Sequence, residues 1–447
     1  MGLFTKLFHK TQIDVTQLDR IKQVGTYQVK IAQTNLGVTP GPYLLEVKPG
    51  PIQLLYPIQL ADDLTGTRYF RSYSHQFKRY NSFIDLSDQQ RAWVKQYLTK
   101  LGLSWLAQCT PDQLNIGVVT DTHDKADQNK TYYGTNGLRH VQELNILADL
   151  GLLDYKAHLG DMIDGSDAPA IAQQRLALIT TALAQGPTPF LVAEGNHDAN
   201  DKYDEHTDHH RASFEADTFA NIVNRRLFAQ PQVHRPNEKA DVYYIDKGPI
   251  RVIMINTSDV PYQLKADGTK VYDFKLTKAI RQQQFQDIIA ILAHSQHKTI
   301  IFMGHADLLD PKGRNGLAYN GKTLHELFRA FNAHQKGKIH TRHKKTDFQV
   351  NAAFDFTNND SHISAYICGH RHKEATYNYD GIQYILLNCS ALMGRYHGLT
   401  TKYNQHWHRK QGEITEFAGY VLNIDGDQRQ LRVFGYGAAS PLQKFKF

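Results

Sequence analysis

The sequence predicts an α/β chain, α+β-like in organisation: a two-layer mixed β-sandwich flanked by helices, with a small β-rich module at its start. Three observations predict it. Five short apolar runs between residues 114 and 368 each end in a polar cluster, as buried strands do when they deliver side chains to one edge of a sheet. Stretches with helical periodicity alternate with the first of these runs. Segments of period two, separated by turn residues, fill both ends of the chain.

Residues 1–112 differ in pattern from the rest. Segments 26–33, 43–48, 52–60 and 68–73 alternate apolar and polar residues, and Pro40-Gly41-Pro42 and Pro49-Gly50-Pro51 punctuate them as turns. One helix closes the module. Ser87 and Gln90 fit a capping box, Trp93, Val94, Tyr97, Leu98 and Leu101 form its apolar stripe, and Gly102 is the expected stop. The stripe needs a partner surface, so the helix is expected to pack on the second domain. No chemistry is visible in this module, and the sequence names no partner for it.

Residues 113–447 form that second predicted domain. Leu138, Val141, Leu144, Leu147 and Leu150 mark one helical face, and residues 167–184 supply a second helix. Strands are expected at 241–245 and 251–256 and a helix at 276–293. Hairpins are expected at 375–379 with 383–388, and at 418–424 with 430–436 about the Asp425-Gly426-Asp427 turn.

A chain of 447 residues has room for two domains with full-sized cores. Lys and Arg exceed Asp and Glu by 51 to 44, too small a surplus to imply nucleic-acid binding but compatible with an anionic substrate. Cys109, Cys368 and Cys389 are an odd set without disulfide spacing, which favours a reducing compartment, with the cytoplasm as the expected location. Residues 1–8 are basic and slightly amphipathic without the apolar run of a signal peptide, and no stretch reaches transmembrane length.

The five runs deliver Asp121-Thr122-His123, Gly160-Asp161-Met162-Ile163-Asp164, Gly195-Asn196-His197-Asp198, Gly304-His305 and Gly369-His370-Arg371-His372. Carboxylate, amide and imidazole donors without a thiolate suit borderline or hard divalent ions such as Mn, Fe or Zn. In order and residue type the clusters read D-x-H, G-D-x-x-D, G-N-H-D, H and G-H-x-H, and so resemble the calcineurin-like metallophosphoesterase superfamily. One such cluster would be a weak signal. Five in order, each behind an apolar run, make a specific one.

That resemblance implies the metallophosphoesterase fold for residues 113–447 and two divalent metal ions, Mn, Fe or Zn. It implies one ion on Asp121, His123, Asp161 and His372, and a second on Asp161, Asn196, His305 and His370. Asp161 would bridge ions about 3.5–4 Å apart, and a bridging hydroxide would attack phosphorus in line. His197 would protonate the leaving oxygen. A nearby carboxylate orients such a histidine and keeps it partly protonated; Asp164 is the candidate, with helix capping as its alternative role. Two divalent ions, two carboxylates and one hydroxide leave roughly one positive charge, which favours an anionic phosphate over a neutral amide.

Some positions depart from the family or stay open. Gly165-Ser166 follow Asp164 where Ser/Thr protein phosphatases place an Arg, so a bidentate phosphate clamp is missing there. Ala306-Asp307 follow His305 where many relatives carry proline. Arg371 either touches substrate or points away from it. His206, His209 and His210 read as a solvated loop, with pocket lining as the alternative. Residues 336–345 read as a solvated insertion, with a polyanion patch as the alternative. Tyr132, Tyr133 and Gly134 are lid candidates, and Gly160, Gly195, Gly304 and Gly369 are expected to let the backbone turn sharply at the metal.

The expected function is a dinuclear metal-dependent hydrolase of phosphate esters. A phosphodiesterase comes first, because a leaving-group acid serves poor leaving groups. A phosphomonoesterase or a nuclease on the same centre, acting on a nucleotide or polyanionic substrate, and a non-catalytic scaffold are the alternatives.

Overall fold

The computed structural model describes residues 9–10, 15–31, 41–48, 52–57, 69–74, 79–80, 84–85, 92–125, 137–206, 210–391, 409 and 414–447. Two six-stranded mixed sheets dominate it. The first runs, in spatial order, Phe190–Val192, Tyr155–His158, Leu114–Val119, Ala418–Asp425, Gln430–Gly437 and Leu442–Lys446. Its first three strands are parallel, and the last three add antiparallel. The second runs Tyr243–Lys247, Ile250–Met254, Thr299–Met303, His362–Cys368, Ile382–Leu386 and Ala375–Tyr379. Its four inner strands are parallel and both edges are antiparallel.

All five cluster-bearing strands lie in the parallel parts of the two sheets, and this is why they read as unbroken apolar runs. Parallel strands are covered on both faces, so every position of Leu114–Val119, Tyr155–His158, Phe190–Val192 and Thr299–Met303 is buried. Alternate residues still serve different layers. Ile301 and Met303 join the core shared with Ile116, Val118 and Ala157 of the first sheet. Ile300 and Phe302 join Phe285, Ile288, Leu324 and Phe328 of the helices Gln282–Ala293 and Gly321–Asn332 on the outer face. The helices Gly137–Asp149 and Pro169–Leu183 contribute Leu138, Val141, Leu144, Leu176 and Ile179 to the first layer.

Ahead of this sandwich, Gly25–Ile31, Gly41–Lys48, Ile52–Pro57 and Tyr69–Ser74 form an antiparallel meander with its own small core of Val29, Ile31, Tyr43, Leu45, Val47 and Leu55. Gly41 and Pro42 begin a strand there, paired with Ile31 and Lys30, and are not part of a turn. The helix Ala92–Leu106 packs on the sandwich: Val94, Leu98 and Trp105 meet Leu147, Leu152, Phe434 and Tyr436, with Trp105 stacked on Phe434 at 5.3 Å. Gly102 does not stop this helix. A Cβ there would lie 2.7 Å from Leu150 Cδ1, so the glycine lets two helices approach closely.

The helix expected from residue 276 begins only at Gln282. Residues 273–281 are drawn into irregular contacts instead. The Leu276 N–H donates to Asp273 Oδ1 at 2.9 Å, and Ala279 pairs with Ser258 and Tyr319. Part of the basic stretch 336–345 is a hairpin strand, Lys336–His340 against Asn351–Asp355, with alternate residues exposed. Residues 1–8, Pro49-Gly50-Pro51, Ser87, Gln90, the Trp93 side chain, Tyr132, Tyr133, Gly134 and His209 lie outside the described residues.

Candidate metal centre

The ladder between Leu114–Val119 and Tyr155–His158 continues past the strand ends. The N–H groups of Asp121, His123 and Asp124 donate to the carbonyls of Gly160, Asp161 and Met162 at 3.0, 3.0 and 2.9 Å, and Asp164 N–H returns to the Asp124 carbonyl at 3.0 Å. The first two clusters therefore stand side by side as an extension of the sheet. In the other sheet Gly369 N–H donates to the His305 carbonyl at 2.9 Å. His370 N–H to Asp121 Oδ2 at 2.9 Å and His305 Nδ1–H to the Leu159 carbonyl at 2.7 Å join the two sheets, and within the first sheet His197 N–H donates to Asp161 Oδ1 at 2.8 Å.

All seven expected ligands converge within two groups of donor atoms. Asp121, His123, Asp161 and His372 form one, Asp161, His305 and His370 another, and Asn196 Oδ1 lies 3.0 Å from His305 Nε2. Asp161 is common to both. Its Oδ2 lies 3.2 Å from His305 Nε2 and 3.6 Å from His123 Nε2.

The donor chemistry fits a cation. His305 Nδ1 must donate to its carbonyl, so in the neutral ring Nε2 carries a lone pair, and that lone pair faces the oxygens of Asn196 and Asp161. Asn196 Nδ2 is turned away onto the Lys275 carbonyl at 2.9 Å, which leaves its oxygen for the centre. On the other side His123 Nε2 and His372 Nε2 lie 3.0 Å apart, and Asp121 Oδ1 is 3.2 Å from the latter. Acceptors crowded in this way, with few hydrogens among them, are stabilised by positive charge. A proton meets that demand in part. Burial opposes charge on His305, yet the Asp161 carboxylate overrides it and raises the imidazole to about 9. Burial pushes His123 down to about 3 and His370 well below its ordinary value, so both offer neutral rings.

Backbone strain clusters at the same residues. Asp121, His123, Asp161, His370 and His372 all adopt left-handed φ values, between 41° and 65°, a conformation that costs a non-glycine residue about 1–3 kcal/mol and concentrates at functional sites. The four glycines do less of the turning than expected: only Gly160, at φ 87°, is left-handed. Gly195 and Gly369 provide room instead. A Cβ on Gly195 would lie 1.9 Å from the Asp161 nitrogen, and one on Gly369 would lie 2.1 Å from Thr120 Oγ1.

His197 and Asp164 are neighbours, but the expected carboxylate–imidazole contact is not the one formed. His197 Nδ1 donates to the Asp164 carbonyl at 2.8 Å. The Asp164 carboxylate is engaged by Lys202 Nζ at 2.9 and 3.0 Å and by Ser166 Oγ at 2.5 Å, with Lys125 Nζ 3.6 Å away. Burial alone would push this carboxyl up; the two ammonium groups hold it well below the ordinary carboxylate value. Lys125 and Lys202 were not singled out by sequence, and only folding brings them to Asp164.

Arg371 points away from the centre and forms a bidentate pair with buried Asp307 at 2.8 and 3.1 Å, tying the His305 loop to the His370–His372 loop. His206 and His210 are exposed. Asp198 accepts N–H bonds from Gly195 and Ile163 at 2.9 and 3.2 Å, and burial beside Asp161 raises it to about 7.

No curated protein matches the chain. Among solved structures, a dimetal phosphatase from Danio rerio superposes with a TM-score of 0.50 at 12% identity, over 75% of this chain and 99% of that one. A purple acid phosphatase from yellow lupin (Lupinus luteus) seeds gives 0.39 at 12% identity, over 95% and 66%. The first likeness is one of fold. The family model described as calcineurin-like phosphoesterase matches residues 114–374, which covers the five strands of the centre and all seven expected ligands, and the chain belongs to that family.

Proposed function

We propose that this chain is a dinuclear metal-dependent phosphoesterase that favours phosphodiesters, with His197 as the general acid. The observation that carries the reading is the posture of His197. Its Nδ1 is committed to the Asp164 carbonyl at 2.8 Å, which leaves Nε2 as the free ring nitrogen, and its ring lies edge-on to that of His123 at 4.8 Å. An imidazole fixed beside the donor cluster with one nitrogen free is suited to protonating a leaving oxygen.

Bound divalent ions would clamp phosphoryl oxygens and lower the pKa of a water held between them. Asp121, His123, Asp161 and His372 would hold one ion and Asp161, Asn196, His305 and His370 the other; Mn, Fe or Zn suits these donors. His197 would hydrogen-bond the leaving oxygen and deliver its proton as the ester bond breaks, which matters most for an alkoxide. Asp164 would position that ring through its carbonyl. Residues 113–447 would be the catalytic unit, with residues 1–112 carried on it by the docked helix. An odd set of cysteines, Cys109, Cys368 and Cys389, suits a reducing compartment, the cytoplasm. Among the described residues no helix is long and apolar enough to cross a membrane.

The test is hydrolysis of a matched panel by metal-reconstituted protein: bis(para-nitrophenyl) phosphate, para-nitrophenyl phosphate, an alkyl nucleotide diester and DNA. Faster turnover of the small diesters sustains the proposal. Monoester turnover alone would make the protein a phosphomonoesterase, salt-sensitive DNA cleavage a nuclease, and no hydrolysis by a fully loaded protein a scaffold. His197→Ala should keep its metals and lose about 10²–10⁴-fold on the alkyl diester. On nitrophenyl esters, whose leaving group needs no proton, the loss should be much smaller.

A further inference from the structure

Lys278 has no task in the proposed chemistry, yet it stands beside the centre. The other basic side chains there are committed: Arg371 to Asp307, Lys125 and Lys202 to Asp164, Lys270 to Asp201 and Lys275 to Glu205. Among the described residues no ion pair or hydrogen bond holds the partly buried Lys278 ammonium. The charges it feels are Asp161, Arg371, Asp307 and Asp273, and its own charge acts on His370. Its segment lies on the His305 side of the centre: Ala279 N–H donates to the carbonyl of Thr257, whose hydroxyl accepts from Ala306 N–H at 3.0 Å.

The backbone that carries it is fixed from both sides. The Lys275 carbonyl accepts from the ligand Asn196 at 2.9 Å. The Lys278 carbonyl accepts from the N–H groups of Ala318 and Tyr319 at 2.9 and 3.2 Å, and Ala279 N–H donates to the Thr257 carbonyl at 2.9 Å. A cation built into a fixed segment, partly desolvated and without a direct ion-pair partner, is stabilised when an anion comes to it.

We propose that Lys278 binds a second negatively charged oxygen of the substrate, next to the reacting phosphorus and on the side away from the leaving group. This rests on the phosphoesterase reading and deepens it. Two ions, two carboxylates and a hydroxide leave roughly one positive charge, enough for a monoanionic diester. Lys278 adds the charge that a phosphate dianion, or a neighbouring phosphate in a diphosphate, requires. Lys125 and Lys202 share Asp164 on the leaving-group side and do not serve this oxygen.

The experiment uses the full chain loaded with Mn, as the parent, Lys278→Met and Lys278→Arg. Calorimetry measures binding of inorganic phosphate and inorganic diphosphate; steady-state assays give KM for para-nitrophenyl phosphate and bis(para-nitrophenyl) phosphate. Lys278→Met should weaken phosphate binding and raise the monoester KM by about 10- to 100-fold, the worth of a charged hydrogen bond, while the bis-ester KM rises by less than about threefold. Lys278→Arg should recover most of the loss, and metal content should stay equal. Weakening confined to diphosphate assigns the bound oxygen to a neighbouring phosphate; weakening of both ligands assigns it to the reacting group. Equal binding of both anions by parent and Lys278→Met overturns the proposal, and so does an equal rise in KM for both esters. A parent that hydrolyses neither ester sinks the phosphoesterase reading by itself, and anion binding then still decides the role of Lys278.

Discussion

The two halves of the centre are built by different means. On the His305 half, two of the three candidate ligands besides Asp161 are anchored by their far atoms: His305 Nδ1 on the Leu159 carbonyl and Asn196 Nδ2 on the Lys275 carbonyl. Neither residue is left-handed. On the His123 half, Asp121, His123 and His372 all carry left-handed backbone, and the Nδ1 atoms of His123 and His372 are buried with no hydrogen-bond partner. The histidine and amide of one half are oriented by far-side hydrogen bonds that the two histidines of the other half lack, while left-handed backbone extends across both halves to His370. A far-side hydrogen bond fixes the ring and makes the ligating nitrogen more basic, and losing such a partner typically costs about 10–100-fold in metal affinity. The anchored half should therefore be the tighter one.

The largest effect tests what joins the halves. Asp161→Asn should lower bound metal from about two ions per chain to below one and cut turnover by on the order of 10²-fold or more. Retention of both ions by this variant would show that the halves do not share Asp161. Next comes their ranking. Stripping the parent with a chelator should release metal in two steps separated by about 10–100-fold in chelator strength. His123→Ala should lose the easily released ion and His305→Ala the tightly held one; a single step in the parent, or the reverse assignment, breaks the comparison.

A smaller effect is expected at Asp164. Because its carbonyl holds His197, Asp164→Asn keeps that bond and should lower turnover of an alkyl diester by less than about tenfold, against about 10²–10⁴-fold for loss of the acid itself. A loss as large as that of His197→Ala would restore the carboxylate to the dominant role.

The smallest effect concerns the strand beneath both halves. Lys156 is fully buried on Tyr155–His158, its Nζ donating to Asn145 Oδ1 at 2.9 Å, and burial pushes it down to about 8. The folded value lies below the unfolded one, so between about pH 8 and 10.5 the unfolded chain binds more protons and stability rises with pH, by on the order of 1–3 kcal/mol. Urea unfolding at pH 7.5 and 9.5 should show that rise in the parent and not in Lys156→Met. Equal slopes would mean that Lys156 titrates normally.

Much of this was legible in the sequence because burial leaves a local trace. A strand covered on both faces needs consecutive apolar residues, so the runs ending at Val119, His158, Val192, Met303 and Cys368 announced themselves, and the polar residues after each named the donors. The traces failed where distant segments compete for the same backbone. Residues 276–281 carry apolar spacing, yet Ser258, Tyr319 and Asn196 hold the neighbouring backbone in irregular contacts. Gly102 carries the signature of a helix stop, yet Leu147 and Leu150 approach it too closely for any side chain, and the helix runs on to Leu106.

The sequence by itself determined the two-layer plan and the residue types that meet at its edge, since both follow from periodicity and from which groups can face an ion. Tertiary structure decided which atoms of those residues are used. It turned five candidate ligand residues left-handed, gave His197 the carbonyl of Asp164 in place of its carboxylate, paired Arg371 with Asp307, and left Lys278 without an ion-pair partner among the described residues. Each of these depends on loops meeting that lie roughly 30 to 250 residues apart in the chain, and periodicity within one segment holds no record of that meeting.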